Sequence, residues 1–194
     1  MTDPLVRKWN LRYEDADPVA ARPCTVLKDY AHLLPAQGRA LDLACGLGGN
    51  AVFLAGRGLD TVAWDRSPVA IAKLGDYAKT QGLAMHVDVR DVQSTPPEPD
   101  TFDVIVVSYY LERELAPALV RALRPEGVLF YQTWTREAVD DRGPGNPAFR
   151  LGPNELLALF GDLRVIVYRE EGVIGDTTQG LRNEACLVAT RPPR

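Results

Sequence analysis

The chain has 194 residues, 46% of them hydrophobic and 25% charged, with a formal charge of -4, which bounds it to one globular domain with a sizeable core. Its basic residues are scattered without a Lys or Arg run, so no nucleic-acid partner is expected, and no stretch reaches the ~18 apolar residues of a membrane span. An N-terminus with neither a basic flank nor an apolar run predicts a cytoplasmic protein, while three scattered cysteines, Cys24, Cys45 and Cys186, argue against a disulfide framework or a metal site.

Along the chain, Trp9 to Asp17 is polar and aromatic, and the first dozen residues read as a flexible arm or lid. A helix is predicted from Val19 to Leu34, ending at Pro35, so that 1–35 form an arm and helix and 36–194 the main domain. From there apolar runs alternate with helical patterns, the signature of βαβ units. Strands are predicted at Ala40 to Ala44, Thr61 to Trp64, Ala84 to Val87, Phe102 to Ser108, Val128 to Thr133, Leu163 to Arg169 and Ala185 to Thr190. Helices are expected between the first five, at Asn50 to Arg57, at Pro68 to Thr80 with Ser67 as N-cap, and at Leu115 to Leu123, closed by Arg124-Pro125 and Gly127. A fourth covers Pro153 to Phe160. The segment from Glu170 to Arg182 holds three glycines and no helical period, so the last strand is predicted antiparallel. The expected fold is α/β, a doubly wound Rossmann-like seven-stranded sheet with its last strand antiparallel.

The stretch Arg39-Ala-Leu-Asp-Leu-Ala-Cys-Gly-Leu-Gly-Gly-Asn50, followed by Val62-Ala-Trp-Asp-Arg-Ser67, carries most of the chemistry. An apolar run ends in a glycine turn, and an acid closes the next run nineteen residues after Gly46, the spacing of a nucleotide-binding turn and its ribose-binding carboxylate. Gly46 to Ala51 also satisfies the G-x-G-x-x-A form of the dinucleotide fingerprint, which leaves an NAD-dependent oxidoreductase as a rival. Asp42 weighs against it, because a carboxylate beside the turn suits a ligand with an ammonium group and would repel a pyrophosphate. At about 4 Å and an effective dielectric near 20 such a pair is worth roughly 4 kcal/mol. The alternative for Asp42 is a cap on the turn's backbone N–H groups.

With these residues laid out, the chain resembles the class I S-adenosylmethionine-dependent methyltransferases over roughly residues 36 to 191. Leu41-Asp-Leu-Ala-Cys-Gly-Leu-Gly48 is similar to the first motif, Val62 to Pro68 to the second-strand acid, Val89-Arg-Asp-Val92 to the adenine-contacting segment, and Phe102 to Tyr110 to the fourth strand. Leu123 to Tyr131 is similar to the turn before the fifth strand, with Glu126 where Gly is common. Trp9 to Tyr13 and Gly143 to Leu151 look like the group that includes tellurite-resistance and thiopurine methyltransferase-like proteins, which act on soft nucleophiles.

The resemblance implies S-adenosylmethionine as cofactor, held by Asp42, Ala44, Cys45, Gly46, Gly48 and Asn50 in the first motif and by Asp65 on the ribose. Arg66 and Ser67 border the adenine, Asp91 accepts from its amino group in preference to Asp88, and the Val92 N–H donates to a ring nitrogen. Ser108 and Tyr109 lie at the sheet mouth, and Trp9 and Tyr13 close over the methionine end. Acceptor contacts are expected from Tyr110, Trp134, Arg136, Asn146 and Arg150, the last four on or beside a long Gly-, Pro- and Arg-rich insertion from Thr133 to Arg150 that reads as a cover. Arg136 and Arg150 suit an anionic acceptor. No general base emerges: His32 and His86 are read as structural, and Cys45 as a small residue the turn can accommodate. Ser108-Tyr-Tyr-Leu111 lacks the Asn/Asp-Pro-Pro-aromatic signature of base-nitrogen methylases, and the fifth motif lacks a Pro-Cys pair. The expected acceptor is a small molecule, a thiol or a chalcogen oxyanion, with RNA or protein methylation or a non-catalytic cofactor-binding module as alternatives. A monomer or homodimer is expected.

Overall fold

The strand-forming runs assemble as β1 (Arg39–Leu43), β2 (Asp60–Asp65), β3 (Met85–Val89), β4 (Phe102–Ser108), β5 (Leu123–Trp134), β6 (Arg164–Glu170) and β7 (Glu184–Thr190) in a computed structural model that describes residues 3–193. They form one sheet in the order β3-β2-β1-β4-β5-β7-β6. β1 to β5 pair in parallel, and β7 inserts antiparallel between β5 and β6. Strand order reverses between β1 and β4, the switch point at whose carboxyl ends ligands bind in open α/β sheets.

The central strands are apolar because both faces are covered. On β4, Ile105 and Val107 join Leu41, Leu43, Trp64, Leu129 and Tyr131 in a core with α5 (Ala116–Ala122) and α6 (Glu155–Leu159). Val104 and Val106 face the other way, packing with Ala40, Leu54, Phe130 and Val188 against α2 (Thr25–Asp29) and α3 (Gly49–Ala55). Full burial of each such side chain contributes about 1.5–3 kcal/mol. β3 is an edge strand, and His86 upon it is exposed.

α4 (Pro68–Thr80) begins as its capping chemistry predicts, with Ser67 Oγ accepting from the Ala70 N–H at 3.2 Å. Two stretches depart from expectation. The helix expected from Val19 to Leu34 is broken into a 3-10 turn at Pro18–Ala20, the short α2, and a second 3-10 turn at Ala31–Leu33. Pro23 has no N–H and disfavours a helical residue before it, and the N–H groups that follow are taken by the distant Asn50 and Gln132 side chains. Residues 4–14, expected as an arm, form a helix, α1 (Pro4–Glu14), capped by Asp3 and with no buried residue. The β3-to-β4 link also carries no helix; Pro96, Pro97 and Pro99 prevent one.

Glu126, where the motif usually has Gly, sits in the left-handed region at φ 65°, which explains the usual glycine. Gly49 is the tightest glycine of the binding turn: a Cβ there would lie 2.3 Å from the Arg22 carbonyl oxygen. Gly49→Ala is expected to destabilise the protein by about 1–3 kcal/mol through overpacking, read as a lower urea midpoint at constant m; a midpoint unchanged from wild type would contradict this account.

Candidate functional site

The loops at the carboxyl ends of β1, β2 and β4 bring the predicted binding residues together. After β1 the chain turns at Ala44 (φ 56°) and Gly46 (φ 52°), both left-handed. The Gly46 N–H donates to Asp65 Oδ2 at 2.8 Å, and the Ser67 N–H donates to Asp65 Oδ1 at 2.8 Å. Each carboxylate oxygen keeps a second lone pair, so this acid is oriented by backbone and retains capacity for two hydroxyl donors. Asp65 is buried, and burial raises its pKa against the opposing pull of the Ser67 and Gly46 N–H groups.

Asp42 is fully buried one strand away. Its Oδ2 accepts from the Ala51 N–H at 2.9 Å and its Oδ1 from Asn50 Nδ2 at 3.2 Å. Asn50 also donates to Ser108 Oγ at 2.9 Å and accepts from the Cys24 N–H at 2.9 Å. One amide thus ties β1, β4 and the start of α2 together beneath the turn, with both Asp42 oxygens turned to Asn50 and Ala51. Burial pushes the Asp42 carboxyl up to about 7. The Cys45 thiol is also pushed up, by burial and then by Asp42, which suits a spacer rather than a nucleophile.

Past the ends of β2 and β3, Arg66 Nη2 pairs with Asp91 Oδ1 at 2.8 Å, both partly exposed. Asp91 lies beyond the end of β3 with the buried Val92 next to it, while Asp88 remains on the exposed edge strand. Tyr110 lies in the electrostatic reach of Arg66, Asp91 and Asp65, its hydroxyl pushed up to about 12 mainly by burial.

α1 lies across the glycine turn. A Cβ on Gly46 would come within 2.7 Å of the Tyr13 hydroxyl, so the tyrosine lies directly on the turn, whose φ of 52° at this position favours glycine. Trp9 stacks on Tyr13 at 6.1 Å. Ser67 Oγ donates to Asn10 Oδ1 at 2.7 Å, and Lys73 Nζ donates to the Glu14 and Ala16 carbonyls. Asn10 and Lys73 were absent from the sequence-level candidates.

A second cluster stands past the end of β4. Tyr109 is left-handed at φ 55° and 46% exposed, a backbone state that costs a bulky residue of order 1–3 kcal/mol. Its ring packs on Trp134 at 5.2 Å and its hydroxyl lies 3.3 Å from Glu184 Oε2. Gln132 Nε2 donates to the same Glu184 oxygen, and Gln132 Oε1 accepts from the Val26 N–H at 2.7 Å. Glu184 and Gln132 escaped the sequence reading. The available signal was the antiparallel last strand, whose first residue must lie at the carboxyl end of its parallel neighbours; Glu184 is opposite Trp134.

The cover from 135 to 150 is held by its own arginine. Arg150 donates to the carbonyls of Pro144, Thr135 and Arg142 at 2.8, 2.9 and 2.6 Å, so the guanidinium expected to hold an anion is committed to backbone. Arg113 anchors the same loop through the Ala148 and Arg150 carbonyls and an ion pair with Glu155. Asn146 caps the turn at Pro147 by accepting from the Ala148 N–H at 2.9 Å. Arg136 is exposed, in a long 3.4 Å contact with the Pro147 carbonyl. Among the described residues no cluster of His, Cys, Asp or Glu fits a metal ion.

The residues present fit S-adenosylmethionine: a glycine cradle at the switch point, an oriented acid on β2, and aromatic rings on either side. A family model described as a methyltransferase domain matches residues 40–127. The chain is 25% identical over 138 residues to the probable S-adenosyl-L-methionine-dependent methyltransferase TehB of Haemophilus influenzae, covering 68% of this chain and 48% of the relative. The crystal structure of that TehB aligns with a TM-score of 0.69 at 23% identity, over 85% of this chain and 61% of its own. Hemagglutinin 1 of Eikenella corrodens is 35% identical over 85 residues, 42% of this chain and 28% of that protein. A structure solved for the conversion of a disulfide bond into a thioacetal group during echinomycin biosynthesis aligns with a TM-score of 0.71 at 24% identity, over 97% of this chain and 92% of that one. The chain spans less than half the length of these two curated relatives. Ordered motifs, strand order and relatives agree: residues 40–127 match a methyltransferase domain, in a chain whose fold and sequence are similar to the class I S-adenosylmethionine-dependent methyltransferases and to TehB among them.

Proposed function

We propose that this protein transfers a methyl group from S-adenosylmethionine to a small-molecule acceptor, a soft nucleophile such as a thiol or a chalcogen oxyanion. The observation that carries the reading is the oriented Asp65 carboxylate at the end of β2, which accepts from the Gly46 N–H of the glycine turn. When bound, the cofactor supplies an electrophilic methyl on a sulfonium. The chain's part is placement. Gly46 and Gly48 admit close approach, Asp65 accepts from the ribose hydroxyls, and Asp91 with the Val92 N–H reads the adenine edge. Tyr13 and Trp9 on α1 act as a lid over the methionine end. Alignment of this kind supplies up to roughly 7–11 kcal/mol in intramolecular displacements. A small acceptor is favoured by the cover, since a loop pinned by Arg150 and Arg113 restricts entry. Titration calorimetry is expected to give micromolar-range binding of S-adenosylhomocysteine and none of NADH; no heat with S-adenosylhomocysteine would remove the proposal.

A further inference from the structure

We infer that Glu184, working through the Tyr109 hydroxyl, takes the proton from the acceptor, and that the acceptor therefore arrives as a neutral thiol rather than as an oxyanion. This rests on the methyl-donor reading above and adds the proton step that reading lacks. Three features of the cluster point to it.

Tyr109 is directly after the β4 residue that Asn50 fixes to the donor turn, and its left-handed backbone swings the ring out, nearly half exposed, against Trp134. Its hydroxyl meets Glu184 at 3.3 Å. The carboxylate behind it is 8% exposed and makes no ion pair among the described residues. The donors on it are neutral, the Gln132 amide and the tyrosine itself. Asp42 shares this lack of a cation, but its donors are an interior amide and a backbone N–H; Glu184 instead meets a half-exposed hydroxyl that can relay a proton to it.

The site's cations argue the same way. Arg150 is committed to three carbonyls and Arg66 to Asp91, so neither is free to hold an anion; Arg136 keeps only a long contact with the Pro147 carbonyl and is exposed on the cover, while the carboxylate behind Tyr109 disfavours an anion beside that hydroxyl. The titratable and charged groups around Glu184 are Tyr109 at the end of β4, Cys186 on its own strand, and Arg142 from the cover, whose positive charge acts weakly on it; Cys24 faces Tyr109 from the start of α2. Burial raises the Glu184 carboxyl and the Tyr109 hydroxyl alike, which moves Glu184 toward the range of a useful base.

The step balances. As the thiol sulfur bonds to the methyl carbon, the carbon–sulfonium bond breaks and its electron pair stays on the cofactor's sulfur. The thiol proton passes to Tyr109 Oη while the tyrosine proton passes to Glu184, and solvent later removes it. No oxidant or reductant is needed.

The test uses the full chain, with Glu184→Gln and Tyr109→Phe as variants. S-adenosylhomocysteine binding is measured first, then methyl transfer to 2-mercaptoethanol, protonated near neutrality, to thiophenol, largely ionised there, and to tellurite. Glu184→Gln is expected to bind S-adenosylhomocysteine like wild type, and turnover of both variants is compared at saturating S-adenosylmethionine, because Tyr109 is itself among the residues expected on the cofactor. Each should lose about 10²-fold in kcat on 2-mercaptoethanol near neutral pH, recover as the pH rises past the thiol's own ionisation, and change less than threefold on thiophenol. Little or no transfer to tellurite is expected; equal losses on both thiols, an unchanged alkyl-thiol pH profile, wild-type transfer to tellurite in preference to the thiols, or wild-type transfer to neither thiol would overturn the assignment. Failure of the wild type to bind S-adenosylhomocysteine would instead overturn the methyl-donor reading.

Discussion

Asp65→Ala is expected to weaken S-adenosylhomocysteine binding by about 10²- to 10⁴-fold, beyond detection by calorimetry at ordinary concentrations. Two charge-assisted hydrogen bonds to ribose hydroxyls are at stake, each worth roughly 1.5–3 kcal/mol, and 1.36 kcal/mol corresponds to one decade. The same carboxylate accepts from the Gly46 and Ser67 N–H groups, so alanine also strands two donors at the base of the site. That loss lowers stability by about 1–3 kcal/mol per stranded group. Asp65→Asn separates the effects, because an amide keeps the shape and one acceptor oxygen but no charge. It should melt closer to wild type than the alanine variant does while binding at least tenfold more weakly than wild type. Binding by a folded Asp65→Ala protein within threefold of wild type would refute the ribose role.

Much of this site was legible because its signals are local. The β1 turn, the acid ending β2, and the Ser67-Pro68 start of α4 each depend on residues within a few positions of one another, and capping and turn chemistry read such distances well. The sheet followed from alternation of apolar runs with helical periods, and even its antiparallel last strand followed from a glycine-rich link. What escaped depends on contacts across the chain. The backbone from 21 to 26 is decided by Asn50 and Gln132 side chains far along the sequence, so a window around Val19 to Leu34 overcounts helix. Arg150 looked like a free cation because its partners are carbonyls, which sequence cannot display. Glu184 enters the site only through its pairing opposite Trp134. Asp42 lies between these cases: its position beside the turn was readable, and the turning of both oxygens toward Asn50 and Ala51 was not.

That burial of Asp42 has a measurable consequence. Its carboxyl is raised to about 7 from an ordinary value of 3.8, with burial as the main cause. The folded state therefore keeps this proton to higher pH than the unfolded chain does, and stability falls as pH rises between about 4 and 7, then levels off. A shift of this size corresponds to about 4 kcal/mol between the two ends of the window. Asp42→Asn removes the titration. The amide also sets a donor against either the Ala51 N–H or the Asn50 amide, which costs about 1–3 kcal/mol at every pH. The prediction lies in the slope: urea unfolding from pH 4 to 8 should show the wild-type minus Asp42→Asn stability difference declining by several kcal/mol, then holding steady. Groups remote from Asp42, Glu184 and Glu155 among them, drop out of the difference, whereas Asp65 is coupled to Asp42 by charge and adds a smaller part to it. A difference that stays flat across the window would show that Asp42 is ionised throughout in the folded protein. The same raised acid predicts linkage to binding, because an α-ammonium brought near Asp42 favours its ionised form. Near pH 6, calorimetry in buffers of different ionisation enthalpy should then detect proton release when S-adenosylhomocysteine binds the wild type, and less release with Asp42→Asn.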